Sequence, residues 1–242
     1  MILLNSREII GGLNMAEREL VIPGDLLGEG IAGSGTYMEN GKIYASVLGL
    51  AERKDKLIFV IPLNGIYSPK TGDGVIGKIE DVAFSHWIVN INSPYFGVLP
   101  LNEAVTDFVD LTKTDLTKYF NYDDIIFAKI SNVTKTKSVQ LTMKDRKCRK
   151  LYGGRLIKIT PAKVPRVIGK GGSMVEMIKK YTGCQIVVGQ NGIVWIKGEK
   201  EDLAIEAIQC IEEKSHTTGL TDKIKEMLEN GEGDKNGTKA NS

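Results

Sequence analysis

A glycine-rich turn that contains a lysine is the part of this sequence whose residue types point most directly to chemistry. It reads Gly169-Lys170-Gly171-Gly172, and an amphipathic segment begins directly after it at Ser173. Glycines let a bound backbone approach closely, and the free N–H groups at the start of a following helix favour a phosphate. Lys170 adds a mobile cation at the tip, so we predict a phosphate-binding turn. Two further basic residues flank it: Arg166 and Lys179.

Basic residues are concentrated around this turn, although the chain as a whole is close to neutral. The 242 residues include 32 Lys and Arg against 30 Asp and Glu, a net charge of +2. Residues 151–198 hold 8 basic and 1 acidic residue and so carry +7, whereas residues 199–242 hold 6 and 11 and carry −5. A locally basic face is the electrostatic signature of a polyanionic partner.

Composition argues against several other classes of protein. Three cysteines without a CxxC pair, and two histidines in different regions, predict neither a disulfide framework nor a zinc site. No segment has the pattern of a signal peptide or a membrane span, so we expect a soluble cytoplasmic protein. Gly28–Gly33 matches GxGxxG but no helix can follow it, so we expect no cofactor. The neighbours Asp123 and Asp124 would point to opposite sides of a strand, and we identify no catalytic or metal-binding set.

Two patterns of secondary structure follow one another along the chain. Short β runs separated by turn residues continue to about residue 145. The predicted strands there are Lys42–Leu48, Lys56–Ile61, Gly74–Val82, Trp87–Ile91, Phe96–Leu99, Asp124–Val133 and Ser138–Met143, with a partly helical segment at Leu101–Tyr119. From residue 153 the predicted order is β-α-α-β-β-α. Its elements are Arg155–Thr160, Pro161–Ile168, Ser173–Thr182 with Ser173 as N-cap, Gln185–Val188, Ile193–Lys197 and Lys200–Lys214, with a hairpin turn at Gly189-Gln190-Asn191-Gly192.

These patterns divide the chain into four parts. We predict an all-β N-terminal domain over 1–66, a β-barrel over 67–147, an α+β domain over 148–217 and an acidic, disordered tail over 218–242. Within the tail, Asp222–Glu229 is amphipathic, and a surface helix is its simplest interpretation.

The third part resembles a known family of nucleic-acid-binding domains. Val167–Ile178 resembles the VIGxxGxxI signature of the KH domain, and the order β-α-α-β-β-α is similar to that of the eukaryotic-type KH fold. The resemblance implies that the GxxG turn clamps about four nucleotides of single-stranded RNA or DNA. The residues it implicates are Arg166, Gly169, Lys170, Gly171, Gly172 and Lys179.

The second part resembles an OB-fold barrel of the S-one type. The match runs from Gly74–Ile79 through His86–Ile91 and Gly97–Pro100 to the strands at 125–133 and 139–143. Such barrels stack bases on aromatic residues beside cationic loops. The resemblance implicates Lys78, Phe84, His86, Trp87, Tyr95, Phe96, Lys135 and Lys137. Strand alternation puts Trp87 and His86 on opposite faces and leaves open whether Trp87 contacts ligand or fills the core.

The first part resembles the N-terminal domain of exosome RNA-binding cap subunits. The matching stretches are Val21–Asp25, Gly33–Tyr37 and Gly41–Gly49. The three parts in this order are similar to an archaeal cap subunit of the Rrp-four type. That resemblance implies a non-catalytic protein that sits in three copies on a six-membered exoribonuclease ring, docks through its first part and feeds single-stranded RNA into the ring for degradation and processing.

Two alternatives remain open from the residues. A transcription or translation factor could combine the same barrel and KH modules but bind a polymerase or a ribosome. A nuclease would need convergent carboxylates, a nucleophile or a metal cluster, none of which the sequence suggests.

Overall fold

A computed structural model of the chain describes residues 19–105, 116–215 and 219–233. It divides into two compact units, residues 1–65 and residues 66–242. The division between them falls after Gly65. Part of the predicted helical segment, residues 106–115, lies outside the described residues, as do His216 and residues 234–242.

The first unit consists of short strands that pair antiparallel except for one parallel pair. The sequence predicts two of these strands, at Lys42–Leu48 and Lys56–Ile61. The strands are β1 (Glu19–Val21), β2 (Leu26–Gly28), β3 (Ile31–Ala32), β4 (Thr36–Glu39), β5 (Lys42–Ala45), β6 (Gly49–Lys54) and β7 (Leu57–Pro62). They form two sheets, ordered β1-β6-β7-β3 and β2-β5-β4. A small core of Ile43, Ala51, Ile58 and Val60 lies within it.

The second unit begins with a closed barrel. Its elements are β8 (Gly74–Val82), β9 (His86–Asn90), β10 (Gly97–Pro100), α1 (Leu101–Ala104), β11 (Ile125–Val133), β12 (Val139–Thr142) and β13 (Arg149–Leu151). The sheet runs β12-β10-β9-β8-β11, and a further pairing of β12 with β11 closes it. Side chains alternate inward and outward, so that Val75, Ile79, Val89, Leu99 and Leu141 fill the interior.

The KH fold follows as predicted. Its elements are β14 (Arg155–Lys158), a 3-10 turn (Pro161–Lys163), α2 (Val164–Ile168), a second 3-10 turn (Lys170–Gly172), α3 (Ser173–Thr182), β15 (Gln185–Val188), β16 (Ile193–Lys197) and α4 (Glu201–Glu213). The antiparallel sheet is ordered β14-β16-β15. The helices cover one face of it, because Val194 and Ile196 belong to the same buried cluster as Val167 and Ile178.

The prediction of a disordered tail is wrong for residues 220–233, where the helix expected at Asp222–Glu229 is present. Helix α5 (Leu220–Gly233) follows the KH fold and packs against it. Its apolar residues recur every four positions, which places them on one face of a helix. These residues, Leu220, Ile224 and Leu228, are buried in the KH core. The acidic composition of the segment lies on the opposite, solvent-facing side, so α5 is an integral part of this fold.

Candidate RNA-binding surface

The GxxG turn lies in the open between α2 and α3. Lys170 and Gly171 are exposed, and Gly169, Gly171 and Gly172 have φ of 75°, 62° and 87°. Residues that carry a side chain rarely adopt these backbone angles, which explains why all three positions are glycine. The turn is held by the Gly169 N–H, which donates to Pro165 O at 3.0 Å, and by the Gly172 N–H, which donates to Gly169 O at 3.2 Å.

The glycines have two separate roles. A Cβ on Gly169 would lie 2.7 Å from the backbone N and the Cβ of Met174, so this glycine lets α2 and α3 pack closely. A Cβ on Gly171 or Gly172 would meet nothing within 4 Å. These two glycines therefore leave open space in front of α3. The predicted N-cap is displaced by one residue: Gly172 takes that position, and Ser173 already has helical angles.

The basic residues around the turn differ in whether an acidic side chain pairs with them. Arg166 and Lys170 are exposed and form no ion pair with another described residue. Lys179 pairs with Glu176 one turn earlier in α3, at 2.7 Å, so its charge is partly compensated. The structure thus brings the KH residues that the sequence implicates to one loop and its two helices, with Lys170 as the central free cation.

The hairpin turn between β15 and β16 is buried against the barrel. Asn191 is fully buried, and its side-chain amide donates to Ile76 O at 2.7 Å and Ile91 O at 2.8 Å. Its Oδ1 accepts the Ile76 N–H at 3.3 Å. The Gln190 N–H adds a bond to Gly74 O at 2.8 Å. The sequence predicts this hairpin but gives no sign that Asn191 joins two modules.

Apolar contacts extend this junction. Strand β16 is buried on both faces, and Ile193 and Trp195 form a cluster with Ile76 and Leu151 of the barrel. Beside the cluster is a cleft of about 160 Å³, whose lining includes Lys78 and Asn90 from the barrel and Leu156 and Lys158 from the KH sheet. Asp123 lies 2.7 Å from Lys78 and, by hydrogen bonding and charge, raises the pKa of that lysine. The barrel and the KH fold therefore present one continuous surface.

The barrel residues implicated by the sequence divide between the two ends of β9. Gly97 pairs with Val89 on one side and with Val139 on the other, which places the loop before β10 beside the turn before β12. Two exposed aromatic residues and two exposed lysines share that end: Tyr95, Phe96, Lys135 and Lys137. The exposed Phe84 and the half-buried His86 lie at the other end, about 10 Å away along the strand.

The assignment of Trp87 to the RNA-binding set is wrong. Its side chain is fully buried, its indole N–H donates to Phe120 O at 2.9 Å, and its ring meets the Phe120 ring edge to face. Alternation leaves two possible faces for this residue. Because the sheet closes into a barrel, the face of β9 that carries Trp87 lies on the inside.

Two structural findings bear on other kinds of site. Within the part of the chain that the structure describes, no three His, Cys, Asp or Glu side chains are grouped so that they could hold a metal ion. Among the same residues, no helix has the length and apolar character needed to cross a lipid bilayer.

Comparison with known proteins agrees with this architecture. Residues 18–64 match a model of the exosome RNA binding protein RRP4 N-terminal domain, residues 66–132 an RRP4 S1 domain, and residues 154–202 a KH domain. The exosome complex component Rrp4 of Pyrococcus furiosus is 51% identical over 218 residues, covering 87% of this chain and 83% of its own. That of Methanothermus fervidus is 47% identical over 220 residues, covering 89% and 97%. A crystal structure of a protein provisionally described as an exosome complex RNA-binding protein aligns with TM-score 0.64 and 34% identity, covering 71% of this chain and 99% of that one.

Proposed function

Because the chain belongs to the Rrp4 family of exosome components, we propose that it is the non-catalytic RNA-binding cap subunit of an exosome. In this role it captures single-stranded RNA and guides it into a six-membered 3'-to-5' exoribonuclease ring for degradation and processing. The observation that carries the proposal is the exposed GxxG turn, with its two open glycines and the unpaired Lys170.

RNA capture follows from the geometry of the turn. Gly171 and Gly172 carry no side chain and have open space where a Cβ would lie, so a sugar–phosphate backbone can approach the N-terminus of α3. The N–H groups of that terminus and the Lys170 ammonium group attract phosphate. Tyr95 and Phe96, beside Lys135 and Lys137, offer stacking and charge without reading sequence. Together they favour weak binding that tolerates many sequences.

The N-terminal unit supplies the surface that docks to the ring, in three copies per complex. Among its described residues, 19–65, seven form the buried core, whereas nine large apolar side chains are exposed. These nine are Leu20, Ile22, Leu26, Ile31, Tyr37, Met38, Leu48, Leu57 and Leu63. Exposed apolar area on this scale in so small a unit is typical of a protein-binding surface. Native mass spectrometry of the complex from its source cells would give the number of copies. A complex with a polymerase or a ribosome instead of the ring would contradict the proposal.

Degradation belongs to the ring and not to this chain. The family models that match it describe an N-terminal domain and two domain types found in RNA-binding proteins. We place the protein in the cytoplasm, since its three cysteines are free thiols, as expected in a reducing compartment.

The test is a variant that closes the turn, Gly171→Asp with Gly172→Asp, in single-stranded RNA binding across a salt series. Two carboxylates in front of α3 should reduce affinity at least tenfold and lower the salt slope by about 0.7 for each phosphate that is no longer bound. Gly24→Asp with Gly41→Asp is a matched control, because both glycines have positive φ and open space and lie in the other unit. Equal affinity of the turn variant and the control would refute the proposal.

A further inference from the structure

A second basic feature joins the barrel to the KH fold. We call residues 146–158 the linker stripe. This segment contains six basic residues and no acidic residue, in a chain whose overall charge is +2. It includes β13, which pairs with β11 of the barrel, and β14, which pairs with β16 of the KH sheet. The linker stripe therefore connects the two modules directly.

Most cations of the linker stripe are free to bind a ligand. Arg146, Lys147, Arg149 and Lys158 are exposed and form no ion pair with another described residue. Lys150 pairs with Asp124. Arg155 pairs with Asp202, whose side chain is 94% exposed, so this pair is solvated and contributes little to stability. A polyanion that follows the linker stripe meets cations at both ends.

An aromatic ring lies among these cations. Tyr152 is 64% exposed, and the Lys150 ammonium group is 5.2 Å from its ring centre. Its backbone is held in place, because Lys197 Nζ donates to Tyr152 O at 2.9 Å and Trp195 Nε1 donates to Gly153 O at 2.7 Å. The ring thus projects into solvent from a fixed position.

We infer that the linker stripe is an RNA-binding site, in which Tyr152 stacks on one base and the flanking cations contact the phosphates on either side. An exposed ring in a stripe whose outer cations pair with no other described residue suits single-stranded RNA, whose bases offer flat apolar faces and whose backbone is uniformly anionic. The inference rests on the proposed function, since it adds a contact to the same RNA. It goes further by placing that contact on the connection between the KH turn and the barrel.

The first test compares Tyr152→Ala with Tyr152→Phe in the full chain, using single-stranded RNA of about a dozen nucleotides or more. Stacking on an aromatic ring contributes enough that its removal should weaken binding about fivefold or more. Tyr152→Phe keeps the ring and should bind like the parent protein. Ultraviolet crosslinking followed by mass spectrometry should place a crosslinked base on Tyr152. RNA of about four nucleotides, which fills the GxxG turn alone, should not distinguish the variants.

The second test removes charge. Lys147→Gln with Arg149→Gln should lower the salt slope of RNA binding by about 0.7 for each phosphate that the variant no longer neutralises. Lys223→Gln with Lys225→Gln, on α5, removes the same charge outside the linker stripe and is the matched control.

The outcomes separate this inference from the proposed function. If closing the GxxG turn abolishes binding and Tyr152→Ala leaves affinity and crosslinks unchanged, the linker stripe is not an RNA site, while the proposed function stands. If neither variant affects binding, the proposed function itself fails. If Tyr152→Ala spares RNA binding but weakens attachment to the ring, the stripe contacts protein and the inference is overturned.

Discussion

Replacing Asn191 with alanine tests whether this buried amide locks the KH fold onto the barrel. The substitution removes three hydrogen bonds, two donated to Ile76 O and Ile91 O and one accepted from the Ile76 N–H. At a net value of about 1 kcal/mol for each bond, the free energy of unfolding should fall by about 3 kcal/mol. Ile76 and Ile91 are buried, so water cannot readily replace these bonds, and this value is a lower limit. For a unit of this size the melting temperature should fall by about 6–12 °C.

The assay is urea denaturation followed by circular dichroism and by tryptophan fluorescence. The chain has two tryptophans, Trp87 in the barrel and Trp195 in the KH sheet, so fluorescence reports on both modules. Gln190→Ala is the matched control, because the exposed Gln190 contributes its backbone N–H to the same junction and the substitution leaves that N–H in place. Equal stability of the Asn191 and Gln190 variants, or a loss below about 1 kcal/mol, would refute the role we give to this amide.

Three further predictions concern the cores and the pH dependence of stability. Trp87→Phe should lower the free energy of unfolding by about 2 kcal/mol in urea denaturation and leave RNA affinity unchanged; weaker RNA binding at full stability would return Trp87 to the RNA-binding set. Ile224→Ala should cost about 2–5 kcal/mol, whereas Lys223→Ala on the exposed side of α5 should cost little; equal effects in urea would mean that α5 does not belong to the core. Burial and the Asp73 carboxylate raise the pKa of Tyr67 above its usual 10.0, so the tyrosine ionises first in the unfolded chain and stability falls as the pH rises above about 10. In Tyr67→Phe this fall should be shallower, and parallel curves of denaturation midpoint against pH would contradict the assignment.

The elements that the sequence predicts best are those whose signals are local. Gly189 and Gly192 lie at the two ends of the turn that joins Gln185–Val188 to Ile193–Lys197. The structure has both strands with the predicted bounds. Helix α3 spans the predicted residues, although its N-cap is Gly172 and not Ser173. A glycine turn precedes the helix, and Gly183 ends it with a left-handed backbone. Turn-forming residues and the helical period of apolar residues are properties of neighbouring positions. They can therefore be recognised in the sequence without knowledge of the tertiary structure.

The features that the sequence does not predict depend on distant partners. The acceptors of the Asn191 amide lie 115 and 100 positions away, so nothing near Asn191 distinguishes it from an ordinary turn asparagine. The side of β9 on which Trp87 lies depends on barrel closure, which joins strands far apart in the chain. For helix α5 the sequence predicts a helix at Asp222–Glu229 but not its burial. The spacing of Leu220, Ile224 and Leu228 gives an apolar stripe, and only the packed KH fold shows that this stripe is covered. The linker stripe is a local signal too, but it crosses residue 151, so the basic stretch 151–198 includes only two of its six cations.

The contact between the barrel and the KH fold determines how the two proposed RNA sites, the GxxG turn and the barrel surface, would act together. For sites joined by a flexible chain, the effective concentration of RNA at the second site falls as the linker lengthens. Here the Asn191 hydrogen bonds and the Ile193 and Trp195 contacts fix the barrel against the KH fold, so the distance between the sites does not fluctuate with a linker. In the proposed function, RNA held at the GxxG turn would therefore meet the barrel surface at one spacing and in one direction. The proposed guidance toward a ring requires a fixed direction, so we expect the buried polar contact at this junction to serve RNA handling as well as stability.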